Sequence, residues 1–120
     1  MTASVQDTGA VRATIEAYIS GSLNGDAALL RSIFHTNAVM MGRLGGQLME
    51  QGPEPFYEHV AEAGKQTNYH AEIKSISVTG DTATACLLES GFSGLEFENH
   101  FHLIKIDAKW LITSKLFHHN

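Results

Sequence analysis

The sequence predicts an α+β fold in which three N-terminal helices pack on a curved, mostly antiparallel sheet. Apolar residues recur every three or four positions up to Gly64, and every second position after it. Turn signals then follow at regular intervals, at residues 79–81, 91–94 and 107–109. With 120 residues and no repeat or linker, we expect a single domain over residues 1–120, in which residues 1–7 form a loose N-terminal tail.

The three helices are predicted in the first half of the chain. The first spans residues 8–24, with Thr8 as its N-cap and Gly25 as its stop. Asp26 then caps a second helix, and the stretch 52–64 forms a third with a proline in its first turn. The residues expected to face the core are Leu29, Leu30, Ile33 and Phe34 in the second helix, and Phe56, Tyr57 and Val60 in the third.

The strands are predicted mainly in the second half. A short segment over residues 38–41 and a hairpin arm over residues 47–49 precede the third helix. A meander of four strands then covers residues 69–78, 82–90, 95–106 and 110–118. Because a twisted antiparallel sheet curls, helices laid over its curled face tend to enclose a pocket.

Composition and charge exclude several classes of function. The net charge of −5 and the scattered Lys and Arg residues argue against nucleic acid as a partner. Cys86 is the single cysteine, so no intramolecular disulfide is expected. The N-terminus lacks the pattern of a signal peptide, and no apolar run is long enough to span a bilayer. We therefore expect a cytoplasmic protein that does not bind membranes.

The segment NHFHLIKI, residues 99–106, places two histidines one residue apart on a predicted strand. Because alternate residues of a strand share a face, His100 and His102 belong to the same wall. Such a pair begins some metal sites, but a competent site needs a third and usually a fourth ligand. No Asp or Glu joins them with clear ligand spacing, so we predict neither a metal nor a cofactor. The pair then lies on a pocket wall or on the sheet surface.

Long stretches of the chain resemble a known superfamily. The segments AYISGSLNGDAALLRSIFHTNAVMMG and HLIKIDAKWLITSKLFHH resemble the nuclear transport factor 2-like superfamily, which includes ketosteroid-isomerase-like and polyketide-cyclase-like cones. The chain is also similar to the branch of putative lumazine-binding proteins within this superfamily, in three further segments: FHTNAVMMGRLGGQL, AEIKSISVTGDTATACL and GLEFENHFHLIKIDAKWLI. The resemblance implies a cone-shaped fold and a homodimer formed through the convex face of the sheet. The branch name alone does not make lumazine the ligand.

The resemblance to ketosteroid isomerases also implies positions for catalytic residues. Those enzymes polarise the substrate oxygen with a Tyr on the first helix and a carboxylic acid on a late strand, while an Asp moves the proton. Aligned on the first interhelical turn and the last hairpin, these positions fall on Tyr18, His102 and Gly42. Since glycine cannot act as a base, classic steroid isomerisation is not expected. His35 is the remaining candidate base.

The leading functional hypothesis is a small-molecule-binding protein with an apolar pocket for an unidentified small apolar or carbonyl-containing ligand. The candidate ligand-binding residues are Tyr18, Phe34, Met40, Phe56, Tyr57, Glu89, His100, His102 and Phe117, and the candidate catalytic residues are Tyr18, His102 and His35. One alternative is an isomerase, dehydratase or cyclase-type lyase acting on a small carbonyl compound. Another is a dimeric structural or protein-interaction module.

The last predicted strand leaves two orientations open. Strict alternation places Lys115 with Phe117 on one side, and Ile112 with Leu116 on the other. If Lys115 faces inward, it is a buried cation whose natural partner is Glu89; if it faces outward, it is an ordinary surface lysine. Apolar residues on both sides of the strand also favour a partner subunit.

Overall fold

The computed structural model describes residues 4–120, which form three helices and one sheet. The helices are α1 (Val5–Asn24), α2 (Ala27–Ile33) and α3 (Glu54–Ala63). The strands are β1 (Phe34–Leu44), β2 (Gln47–Gln51), β3 (His70–Thr79), β4 (Thr82–Phe92), β5 (Leu95–Ile106) and β6 (Lys109–His119). They are ordered β2-β1-β6-β5-β4-β3, with β1 parallel to β6 and the other neighbours antiparallel. The predicted α+β class is confirmed.

The first helix begins earlier than the sequence predicts. Ser4 is the N-cap, because its hydroxyl accepts a hydrogen bond from the Asp7 N–H at 2.9 Å. The predicted cap, Thr8, instead donates its hydroxyl to the Ser4 carbonyl. The Asp7 carboxylate also contacts the Lys105 ammonium at 2.9 Å, which ties this first turn to β5. The predicted tail is therefore helical from Val5 onward, and residues 1–3 lie outside the described part of the chain.

The junction between α1 and α2 follows the prediction. Gly25 has a φ of 70°, in the left-handed region that favours glycine, and ends α1. A Cβ there would also lie 2.7 Å from the Gly64 backbone, which packs against it. The Asp26 side chain accepts a hydrogen bond from the Leu29 N–H and so begins α2. The second helix is shorter than predicted, since Phe34 already belongs to β1.

The helices cover one face of the sheet, which we call the inner face; the opposite one is the outer face. The inner face carries the apolar core, in which the largest fully buried side chains include Tyr18, Phe101, Ile15, Leu30, Leu87 and Ile112. Burial of this apolar surface is the main term that stabilises the fold. Within residues 4–120, no helix is both long and apolar enough to cross a membrane.

A β-bulge in β6 decides which of its side chains reach the core. The residues on either side of Thr113 pair with consecutive positions of β5, so Thr113 is an extra residue with no partner position. Its hydroxyl donates a hydrogen bond to the His102 carbonyl at 3.2 Å. One extra residue reverses the alternation, so both Ile112 and Lys115 face inward. The prediction that Ile112 lies opposite Lys115 is therefore wrong. Leu116 does face outward, where it is 53% exposed.

Candidate functional site

A cavity of about 310 Å³ lies between α3, the β1–β2 hairpin, the β4–β5 turn and the inner face of the sheet. Its wall is mostly apolar and includes Met40, Met49, Phe56, Phe92, Phe97 and Phe117. Its polar side chains are Gln51, His59, Ser93 and Lys115. A concave, largely apolar space of this size with a few polar groups is typical of sites for small organic molecules.

Lys115 brings a positive charge to the inner wall of this cavity. The residue is 7% exposed, and its Nζ lies 4.3 Å from the ring centroid of Phe56, 5.3 Å from that of Tyr18 and 5.5 Å from that of Phe117. Within residues 4–120 the ammonium forms neither an ion pair nor a hydrogen bond. Cation–π contacts with three rings are therefore its main compensation for lost hydration.

The ionisation of Lys115 reflects this environment. Burial lowers the pKa of its ammonium to about 8, and the negative charge of Glu89 opposes that shift in part. At pH 7, roughly a tenth of the molecules then carry the neutral amine. A lysine that is both buried and partly neutral has a nitrogen lone pair available for chemistry.

Glu89, the predicted partner of Lys115, is held by neutral donors. The Tyr69 hydroxyl and the Asn99 side-chain amide each donate a hydrogen bond to its carboxylate. Glu89 is 4% exposed, and no described cation forms an ion pair with it. Burial, followed by this carboxylate charge, raises the pKa of Tyr18 and of Tyr69. The predicted contact between Glu89 and Lys115 is wrong, and the two charges interact only at longer range.

Several predicted ligand-binding aromatics lie in the core beneath the cavity. Tyr18 is fully buried, with its ring stacked on Phe56 at 5.8 Å and edge-on to Phe101 at 4.9 Å. Its hydroxyl has no hydrogen-bond partner among residues 4–120. Phe34 and Tyr57 pack on each other in the core, with ring centroids 5.9 Å apart. Among the predicted ligand-binding residues, those that line the cavity are Met40, Phe56 and Phe117.

His100 and His102 share a face as predicted, but it is the outer face. Phe101, between them, is fully buried in the core, so both histidines point away from the cavity. His102 Nδ1 lies 3.0 Å from the Ser114 hydroxyl, and His100 Nε2 lies 3.2 Å from the Glu98 carboxylate. The alignment that placed His102 beside Tyr18 on an oxyanion-polarising wall is therefore wrong. The predicted alternation along β5 is confirmed, and the predicted inward orientation of His102 is wrong.

Neither of the two positions considered for a catalytic base, His35 and Gly42, places a basic group in the cavity. His35 lies at the start of β1, outside the cavity, where its Nδ1 accepts a hydrogen bond from the Asn37 N–H at 3.0 Å. Gly42 is buried opposite Phe117 on the neighbouring strand. A Cβ at Gly42 would lie 2.3 Å from the Phe117 carbonyl oxygen and 2.5 Å from its ring. The position aligned with the isomerase base therefore has no space for a side chain.

Three side chains on the outer face lie close enough together to be considered as metal ligands. Cys86 of β4 is the cross-strand neighbour of His100, and Glu98 lies two residues before it on β5; their ligand atoms lie within 4.8 Å of one another. Sequence spacing missed this group because Cys86 comes from the adjacent strand. Burial, followed by the charge of Glu98, raises the pKa of the Cys86 thiol, which disfavours the thiolate that a metal requires. The absence of a metal stays a prediction.

The residues that sequence reasoning did not assign to the cavity include its polar groups. His59 on α3 has its Nε2 3.0 Å from the Ser93 hydroxyl, and both side chains line the cavity. Lys115 was identified only as one of two alternatives. The bulge at Thr113 determines the orientation of Lys115. The sequence does not reveal this bulge, because a polar, β-branched residue in a strand does not by itself indicate one.

A family model matches nearly the whole chain. It is described as putative lumazine-binding and covers residues 6–118. The chain is also similar to a curated protein, the aldolase FrzH of Cladobotryum sp.. The two are 24% identical over 110 residues, which span 91% of this chain and 88% of that protein.

Solved structures share the fold. An NTF2-like protein of unknown function from Methylobacillus flagellatus KT is 26% identical, with a TM-score of 0.92 over 98% of this chain and 95% of that chain. Another, from Shewanella baltica OS155, is 24% identical, with a TM-score of 0.91 over 100% of this chain and 98% of that chain. These similarities establish the nuclear transport factor 2-like fold that the resemblance implied.

Proposed function

Because the chain belongs to the putative lumazine-binding family of the nuclear transport factor 2-like superfamily, we propose that it binds a small organic molecule in its cavity. The ligand we propose is mostly apolar and carries a carbonyl group. Its apolar part packs against the Met and Phe side chains of the wall. Its carbonyl oxygen accepts a hydrogen bond from Lys115.

The observation that carries this proposal is the ammonium of Lys115 without a polar partner. A buried cation costs free energy unless hydrogen bonds or an opposite charge replace its lost hydration. Here aromatic rings provide most of that compensation. A ligand oxygen would supply the missing acceptor. A neutral carbonyl suits the site better than an anion, because the buried carboxylate of Glu89 and the net charge of −5 both disfavour a second negative group.

We expect acetophenone, which has a carbonyl, to bind more tightly than ethylbenzene, which lacks an acceptor. In Lys115→Met this preference should fall roughly tenfold, since the hydrogen bond to the ammonium is lost while the apolar contacts remain. Titrations followed by the NMR signals of the Met40 and Met49 methyl groups measure both affinities and locate the ligand. The exposed Lys109 provides the matched control, and Lys109→Met should keep the full preference.

Two results would contradict the proposal. One is chemical-shift changes confined to the outer face, which would place the ligand elsewhere. The other is an unchanged acetophenone-to-ethylbenzene ratio in Lys115→Met, which would remove Lys115 from recognition of the carbonyl.

A second candidate function is a lyase reaction on a carbonyl compound. It is supported by the similarity to a protein named as an aldolase, and by the presence of an amine and an imidazole in one cavity, at Lys115 and His59. The lowered pKa of Lys115 lets its amine exchange a proton near neutral pH. The predicted catalytic residues Tyr18, His35 and His102 do not line the cavity, so this candidate depends on Lys115 and His59 in their place.

We also propose that two copies of the chain associate through the outer face of the sheet. Val39 and Leu116 are 46% and 53% exposed there, and Met41 pairs with Leu116 across the neighbouring strands. Exposed apolar residues on adjacent strands favour burial against a second copy.

The expected result for Leu116→Lys is a shift from dimer to monomer, because a lysine at this position would place two like charges in the centre of the proposed interface. Size-exclusion chromatography with light scattering measures the mass directly. Val5→Lys, at a 91% exposed position on α1, is the control and should leave the mass unchanged. A wild-type chain that is monomeric at high micromolar concentration would refute the proposal.

A further inference from the structure

We propose that Lys115 forms a covalent imine with aldehydes and ketones that enter the cavity. This inference rests on the proposed function and deepens it, since it assigns a reactive role to the residue that recognises the carbonyl. It follows from the position of a single lysine amine at the inner wall of an apolar, ring-lined space.

The geometry suits a nucleophilic amine. Lysines that form imines are those whose ammonium is desolvated in an apolar pocket. Lys115 is 7% exposed and surrounded by the rings of Phe56, Tyr18 and Phe117. No described carboxylate holds it as the cation, because Glu89 takes its hydrogen bonds from Tyr69 and Asn99. The same burial brings its pKa to about 8, which agrees with this geometry.

The other lysines provide an internal comparison. Lys65, Lys74 and Lys109 are exposed, and Lys105 forms an ion pair with Asp7. Burial among aromatic rings, without an ion pair, distinguishes the amine of Lys115 from these four. Lys115 is therefore expected to react before the others.

The reaction balances without an oxidant or a reductant. The lone pair of neutral Nζ forms a bond to the carbonyl carbon, and the C=O π electrons move to oxygen, which takes a proton. The nitrogen loses a proton to give a neutral carbinolamine. The carbinolamine oxygen then leaves as water after a second protonation, while Nζ gives up its remaining proton to solvent and the C=N bond forms. His59 and Ser93 line the same cavity, and their side chains offer hydrogen-bonding partners for the carbinolamine oxygen.

The test is reductive trapping with benzaldehyde and sodium cyanoborohydride, which converts an imine to a stable benzylamine. Intact mass should show the addition of one benzyl group, and peptide mapping should place it on Lys115. Labelling there should be roughly tenfold faster than at Lys109, because the amine of Lys115 is desolvated beside aromatic rings and Lys109 is exposed. Lys115→Met should lose the fast label and Lys109→Met should keep it. Ethylbenzene, a competitor that cannot form an imine, should slow labelling at Lys115 only.

The outcomes separate the two proposals. If ethylbenzene binds in the cavity but benzyl groups appear evenly on all lysines, the imine is refuted and ligand binding stands. If ethylbenzene does not bind and Lys115 is not labelled, both proposals fail. Circular dichroism checks the fold of Lys115→Met, and the ratio of labelling at Lys115 to that at Lys109 within the wild-type chain decides the question even if that variant fails to fold.

Discussion

Replacing Lys115 with Met is expected to raise the free energy of unfolding at pH 7 by about 3 kcal/mol. The folded-state pKa of about 8 lies below the ordinary value of 10.5, so holding the charged form in the core costs stability at neutral pH. Methionine keeps the length of the side chain and removes the charge, and the rings of Phe56 and Tyr18 remain as apolar contacts. Urea denaturation at pH 7 measures the difference.

The same substitution should also change how stability depends on pH. Between about pH 8 and 10.5 the unfolded wild-type chain binds more protons at Lys115 than the folded one, so its free energy of unfolding rises with pH. The advantage of Lys115→Met should therefore shrink from about 3 kcal/mol at pH 7 towards zero near pH 10.5.

Other buried groups of the fold titrate in the opposite sense. Burial raises the pKa of Tyr18 and Tyr69, and also that of Cys86, so deprotonation in the unfolded state lowers stability at high pH. The buried carboxylate of Glu89 and the imidazole of His59, which lines the cavity, are also present in both proteins. These contributions are common to both proteins, so the difference between wild type and Lys115→Met isolates the lysine. A difference that stays constant from pH 7 to 10 would contradict a lowered Lys115 pKa.

Gly42→Ala is expected to destabilise the fold by about 3 kcal/mol, through overpacking. The new Cβ would meet the carbonyl oxygen of Phe117, a backbone atom on the paired strand that cannot turn aside as a side chain can. An Asp here, which would restore the base implied by the isomerase resemblance, meets the same obstacle. Thermal and urea denaturation measure the loss.

Gly9→Ala is the matched control for this substitution. Gly9 lies within α1, and a Cβ there has nothing within 4 Å. Alanine should stabilise the helix by about 0.5–1 kcal/mol. If Gly42→Ala is as stable as wild type, Phe117 is less firmly placed than the contacts indicate, and the cavity wall is adaptable at that point.

Local sequence signals predicted the order of the elements well. The change of period at Gly64, the left-handed stop at Gly25 and the cap at Asp26 are each determined within a few residues. The pairing of β1 with β6 is different, because it joins segments far apart in the chain. Sequence periodicity contains no such information.

The candidate site was harder to predict for a related reason. A period of two shows which residues share a face, but not which face is covered. For β5 the decisive fact is that Phe101 fills the core, which turns His100 and His102 outward. For β6 an additional residue at Thr113 changes the alternation midway. The resemblance to isomerases corrects neither the orientation of β5 nor that of β6. An alignment matches positions along the chain and does not give the local register of a strand.

The bulge at Thr113 has a consequence for the evolution of this family. The cavity faces Lys115 and Phe117 because Thr113 is accommodated in β6 as a bulge; if the same residues paired without the bulge, Ser114 and Leu116 would take their places. A change in strand pairing alone could thus replace the amine of Lys115 with a neutral wall while the amino-acid sequence of β6 stays the same. Relatives should therefore be grouped by the pairing of this strand, bulged or regular, before their pocket residues are compared.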